Sequence, residues 1–328
     1  MLDSVPRAPA RNSPTFGTYA GRCGDTRLSL DGVSRLRQYL SEKRWQWFAA
    51  FDDELAVGGA VVDAGFFGTM FCWVFDRAAG ELLVDEDIVV PSPLVSVTTH
   101  PTVGHIAGVG LPGYRLEMHR QHDSLRVEGR IAGAELALDF APDDRTAITA
   151  VCPVAGRTGG VNVTQKEPGV AVSGRVSLDA SGDERTLAGA DGGERTLDGV
   201  GFLDYSHGLL ARETRWDWAF AHAQAPDGTP VSFNLVAGFN DGLENVVWVD
   251  GEPRAVGAAS LTSGERWRVE TACGTVDATL AVEGRREQHI DAGLVASRYD
   301  QPLGRWTGTV AGHDIEGVGV AEQHHTRW

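Results

Sequence analysis

Cysteine is scarce in this chain and scattered: Cys23, Cys72, Cys152 and Cys273 form no CxxC pair. Such spacing offers neither a zinc module nor a disulfide framework, so a reducing compartment, the cytoplasm, is expected. Basic residues are short as well, with 29 Lys and Arg against 45 Asp and Glu and a net charge of −16. So acidic a surface repels polyanions, which argues against nucleic acid and anionic membrane surfaces as partners and favours solubility. Long apolar runs are missing. The nearest, from Ala56 to Phe75, is interrupted by Asp63 and four glycines and reads as two buried strands, with no membrane span. The opening MLDSVPRAPARNSP lacks the apolar centre of a secretory signal, and its prolines read as a flexible lead-in over residues 1–30.

What is present is 42% hydrophobic sequence over 328 residues, punctuated by 41 glycines, enough for two domains built from many short strands. One helix is expected from Asp31 to about Lys43, capped by Asp31, with Val33, Leu36 and Leu40 on one face. Beyond it, WQWFAAF, ELAVGGAVVD, TMFCWVF and their successors alternate as strands of an up-and-down barrel or sandwich. Between Ser177 and Gly199 the composition turns to charge and glycine, and GDERTL from Gly182 nearly repeats as GGERTL from Gly192. A loop or linker over 181–199 then divides a first domain, 31–180, from a second, 200–328.

Potential chemistry concentrates between Gly201 and Gly238. Read as a strand, WDWAFAHAQ sets Trp216, Trp218, Phe220, His222 and Gln224 on one face and Asp217, Ala219, Ala221 and Ala223 on the other. After the Pro226–Gly228 turn, Val231, Phe233 and Leu235 oppose Ser232 and Asn234, which is a hairpin signal. Just upstream, DYSHG reads as a polar loop carrying Asp204 and His207.

Gly201, Asp204, Gly208, Trp216, Asp217, Trp218, Asp227 and Gly228, with the glycine-rich ending GVGVAEQHHTRW and its Glu322, resemble the carotenoid hydratase and hydroxyneurosporene synthase superfamily. KRWQWF near Lys43 and DAGFFGTMFCWVF from Asp63 make the chain most similar to its bacterial branch, domain of unknown function 2804, over about residues 40 to 328. The resemblance implies an all-β protein of two lipocalin-like (calycin) barrels side by side, with ligand space in or between them. It departs from the hydratases proper, whose sequence around the aspartate is longer and more aromatic. Inward positions trimmed to Gly and Ala would leave room for one apolar ligand in a small barrel.

Asp204 and Glu322 are the acid/base candidates. Alternation puts Glu322 on the face of Val318, Val320 and His324, where desolvation would raise its pKa and keep a proton available. Such a carboxyl, facing an alkene or polyene, could start hydration, cyclisation or isomerisation by general acid catalysis; the resemblance implies an elongated isoprenoid-, polyene- or polyketide-like substrate and chemistry without a cofactor. The alternative is that both acids brace turns or pair an arginine such as Arg305. His207 could relay a proton or orient Asp204. Trp216, Trp218 and Trp248 could line the pocket, with Phe233 and His324, and Glu244 could face its mouth. His119 and His122 diverge on a strand, as do His324 and His325, so no metal site is expected. GVGLPG from Gly108 lacks the helix and Lys-Ser/Thr pair of a nucleotide loop, and reads as a loop or bulge. Two rivals stay open: a non-catalytic carrier or sensor of an apolar ligand, and a sugar-binding sandwich presenting Trp267 and Trp306. No oligomeric state is implied.

Overall fold

A computed structural model of the chain describes residues 2–11, 13–131, 133–155, 157, 159–178, 193–291, 293 and 295–328. Among these the strands form two sheets. The first runs in order through Glu81–Pro91, Phe67–Asp76, Leu55–Asp63, Glu42–Phe51, Gly193–Leu209, Val161–Leu178, Ala134–Ala141, Ser124–Ile131, Tyr114–Gln121, Val103–Leu111 and Val95–Val97. The second runs through Glu252–Ala255, Val246–Val249, Pro230–Ala237, Glu213–Gln224, His313–Arg327, Ala296–Val310, Val276–Asp291, Arg266–Thr271 and Ala259–Thr262. Each encloses its own apolar core, with Phe48, Met70, Leu116 and Phe140 in one and Phe233, Trp267, Leu280 and Trp306 in the other. Two barrel-like all-β sheets therefore lie side by side, as the strand series and the resemblance led one to expect.

A third cluster joins them, and alternation explains it. In Glu42–Phe51, Phe48 and Ala50 point into the first barrel while Trp47, Ala49 and Phe51 point outward. In Glu213–Gln224, Ala219, Ala221 and Ala223 face the second barrel's interior while Trp218 and Phe220 point outward. The outward faces meet, so that Trp47 stands edge-on to Trp218 at 5.0 Å and Phe202 meets Phe220 at 4.9 Å. Burying each aromatic contributes about 2–3 kcal/mol. The buried Arg286 crosses the same seam to Asp85, at 3.0 Å, and Asp87, and Arg77 crosses it to Glu283 at 2.8 Å.

Several expectations are corrected. Gly193–Leu209 belongs to the first sheet, because it pairs with Glu42–Phe51 and Val161–Leu178, so the second sheet begins at Glu213 and not at residue 200. From Gly193 onward the second copy, GERTL, therefore opens a strand, whereas GDERTL lies outside the described residues. The lead-in is packed in part: Gly17–Ala20 pairs with Ile148–Pro153, and Ala10 and Cys23 are buried. The helix spans only Arg35–Ser41, capped by Ser34, whose side chain accepts from the Arg37 amide; Gly32 turns the chain with a φ of +74° after Asp31. Leu36 and Leu40 on that helix are exposed. The barrel glycines do not hollow out ligand space either. A Cβ on Gly58 would lie 2.3 Å from the Trp73 ring, and one on Gly201 would lie 2.5 Å from Phe140, so aromatic rings fill the room these glycines leave.

Candidate functional site

The two barrels are matched at the seam. RWQWF carries Trp45 and Trp47, and RWDWAF carries Trp216 and Trp218. In the first sheet Trp47 pairs with Asp204 and Trp45 with Ser206; in the second Trp218 pairs with Glu322 and Trp216 with His324. Each barrel thus sets one carboxylate beside a W-x-W strand. The indole of Trp45 donates to Asp204 Oδ2 at 3.3 Å, and that of Trp216 donates to Glu322 Oε1 at 2.7 Å. Between them is a cavity of about 90 Å³, lined by these four tryptophans, Phe71 and Phe239, and by Lys166, Asp204, Glu244, Tyr299, Glu322 and His324.

The two acids sit in opposite surroundings. Lys166, directly across the ladder from Asp204, reaches Asp204 Oδ1 at 2.8 Å and Glu244 Oε2 at 3.0 Å. Burial alone would depress the lysine's pKa, but the two carboxylates outweigh it and hold the pKa above its ordinary value. Thr164 donates to Asp204, Asn240 donates to Glu244, and the ammonium stands 5.3 Å from the centre of the Trp218 ring. Among the described residues no cation pairs with Glu322. Gln301 donates to its Oε2 at 3.0 Å, and the Tyr299 hydroxyl stands near enough to favour the ionised form, though outside hydrogen-bond geometry. Burial dominates: helped by the charge of Asp204 and opposed by the nearby Tyr299 hydroxyl and by the Trp216 and Gln301 donors, it raises the Glu322 carboxyl to about 7. His324, edge-on to Trp216 at 4.4 Å, is held neutral, its pKa lowered to about 3 by burial and by Arg286.

The cavity brings together Asp204, Glu322, Trp216, Trp218, Glu244 and His324. His207 lies elsewhere. Asp204 stands on a strand, not in a loop, so a residue three places on faces the opposite side; His207 is buried 2.8 Å from Glu42 and 3.3 Å from Thr26. Phe233 belongs to the second barrel's interior against Trp306. Trp248 packs on Ile148 and donates to the Thr146 carbonyl at 2.6 Å, fastening one barrel to the other. Trp267 and Trp306 are wholly buried, which removes the exposed platform of a sugar binder. Arg305 pairs with Glu316 and Glu283 and with neither candidate acid. GVGLPG lies mostly within the strand Val103–Leu111, close to a bulge between His105 and Ala107. Sequence reasoning missed Lys166, Tyr299 and Gln301.

Paired barrel-like sheets with a polar-edged aromatic cavity at their seam define the class as a double lipocalin-like protein. Kievitone hydratase from Nectria haematococca shares the fold with a TM-score of 0.55 at 13% identity, over 97% of both chains. CghA, solved with Sch210972, does so with a TM-score of 0.54 at 12% identity, over 98% of this chain and 97% of its own. The profile of the domain of unknown function DUF2804 matches residues 15–328, and the chain belongs to that family. None of the curated proteins matches the sequence. No helix among the described residues is long and apolar enough to cross a membrane.

Proposed function

We propose that the chain binds an apolar small molecule in the seam cavity and that Glu322 delivers a proton to it, opening hydration, cyclisation or isomerisation of an alkene. The carrying observation is a buried carboxyl with a pKa of about 7, held by the neutral donors Trp216 and Gln301 among tryptophan rings. At neutral pH such a group is protonated about half the time, which suits a general acid. Protonating an alkene carbon breaks the O–H bond, forms a C–H bond and leaves a cation on the neighbouring carbon. The π faces of Trp216 and Trp218 favour that cation, as do Asp204 and Glu244, whose two charges exceed the one on Lys166. Water, an internal nucleophile or loss of a proton then completes the reaction, with no cofactor required. That the two similar folds include a hydratase supports this reading.

The cavity holds only a short segment of an elongated ligand. The remainder would pass Tyr299 and His324, which also line an outer cleft of about 860 Å³. Trp47 Nε1 and Tyr299 Oη are buried without partners, and a ligand oxygen would satisfy either. The carrier alternative keeps the same binding and gives the acids a bracing role. Among the described residues no disulfide joins any two of Cys23, Cys72, Cys152 and Cys273, and the first three are buried, which suits the cytoplasmic setting that we propose.

The test uses farnesol as an isoprenoid probe. Tryptophan fluorescence should quench saturably in the parent and in Glu322→Gln, and deuterium from D2O should enter the alkene carbons only with the parent. Equal deuterium incorporation by both proteins overturns the acid role of Glu322. Quenching without incorporation in the parent selects the carrier, and no quenching overturns the ligand class.

A further inference from the structure

Far from the seam, strand register assembles a second group of reactive side chains. His105 on Val103–Leu111 pairs directly with His119 on Tyr114–Gln121, and Glu117 lies two residues from His119 on the same face. The bulge between His105 and Ala107 shifts the ladder so that Glu117 faces Gly108. Glu117 Oε2 is 2.6 Å from His105 Nε2 and 3.9 Å from His119 Nε2, the two imidazole rings are 5.0 Å apart, and all three donor atoms lie within 4.8 Å of one another. Gly108 makes this convergence possible. A Cβ there would stand 2.5 Å from His105 Nε2 and 2.7 Å from Glu117 Oε2.

We infer that His105, Glu117 and His119 bind one divalent transition-metal ion of the zinc class. Two imidazoles and one carboxylate are the donors that such ions take, and their spacing needs only small side-chain rotations to reach ligand distances of about 2.0–2.2 Å. The partly exposed site leaves further coordination positions to water. Calcium and magnesium, which favour all-oxygen shells, should bind far more weakly. Arg115, 3.6 Å from Glu117, and Arg126 opposite His119 are the nearby cations; Arg126 is already engaged by Glu128 and Asp139. The ion would staple the hairpin next to the end of the first sheet, where only the short strand Val95–Val97 follows. The expectation of no metal missed this group because His105 is fourteen residues from His119 and only the bulged register unites them.

The experiment titrates tag-free, chelator-treated protein with Co²⁺, read by visible absorption, and with Zn²⁺, read by calorimetry. The parent should take up one equivalent and gain thermal stability with Zn²⁺. His105→Ala and His119→Ala should each weaken binding by at least about tenfold. Gly108→Ala should weaken it as well, although it removes no ligand, and His313→Ala should change nothing. Absence of a saturable one-equivalent phase in the parent overturns the site, as does full-affinity binding in both histidine variants.

Discussion

Trp45 and Trp216 lie parallel across the seam, with ring centroids 6.3 Å apart and planes 8° from parallel, and each gives its indole N–H to a different carboxylate. The pair turns two separate barrels into one site, with Asp204 bound to a lysine on one side and Glu322 held by the neutral donors Trp216 and Gln301 on the other.

Glu322 should leave a signature in stability. Folding raises its pKa from 4.5 to about 7, so the folded chain keeps a proton that the unfolded chain releases. Its contribution is complete below pH 4.5 and is lost as pH climbs towards 7, on the order of 3 kcal/mol at most. Urea denaturation between pH 5 and 8 should show this fall in the parent and a flatter profile in Glu322→Gln.

Trp216→Phe keeps an aromatic ring, though a smaller one, and removes the donor that stabilises the ionised carboxylate. The Glu322 pKa should rise further. Carboxyl ¹³C shifts across a pH titration would report it, and an unchanged midpoint would deny the indole its role.

Lys166→Met leaves Asp204 and Glu244 buried without their cation. A loss of about 3–5 kcal/mol is expected by chemical denaturation. Adding Asp204→Asn and Glu244→Gln should restore much of it, because the uncompensated charges, and not the missing methylenes, cause the damage.

His207→Asn should separate stability from the site. It disturbs a buried pair with Glu42 and should cost about 1–3 kcal/mol, yet leave quenching by farnesol unchanged, since the side chain faces away from the cavity. Altered quenching would return His207 to the site.

Gly58→Ala sets a methyl against the Trp73 ring at 2.3 Å. Overpacking there should cost about 1–3 kcal/mol, visible as a lower denaturation midpoint.

Much of this was legible in strand alternation. The faces of Trp216, Trp218 and Phe220 against Ala219 and Ala221 follow from a period of two, as does the shared face of Glu322 and His324. The partner of each face was not legible, because a bare alanine face can line either a ligand chamber or a filled barrel. Here Trp267, Trp306 and Phe233 fill it. DYSHG misled for a local reason: polar residues and a glycine resemble a loop, but neighbouring strands satisfy them, and the inferred proximity of His207 to Asp204 failed with the loop. Lys166 gave no signal at all, since a lysine in TQKEPG reads as solvent-facing until Glu244, far along the chain, folds back onto it.

Because the cavity walls come from both barrels, neither half owns a complete recess. Any occupant is therefore also an adhesive. It binds only the docked arrangement, so each tenfold excess over its dissociation constant adds about 1.4 kcal/mol to the cohesion of the halves. A protein of this design would announce its natural cargo through its own melting temperature, which should climb steadily with the concentration of the right molecule and stay still for the wrong one.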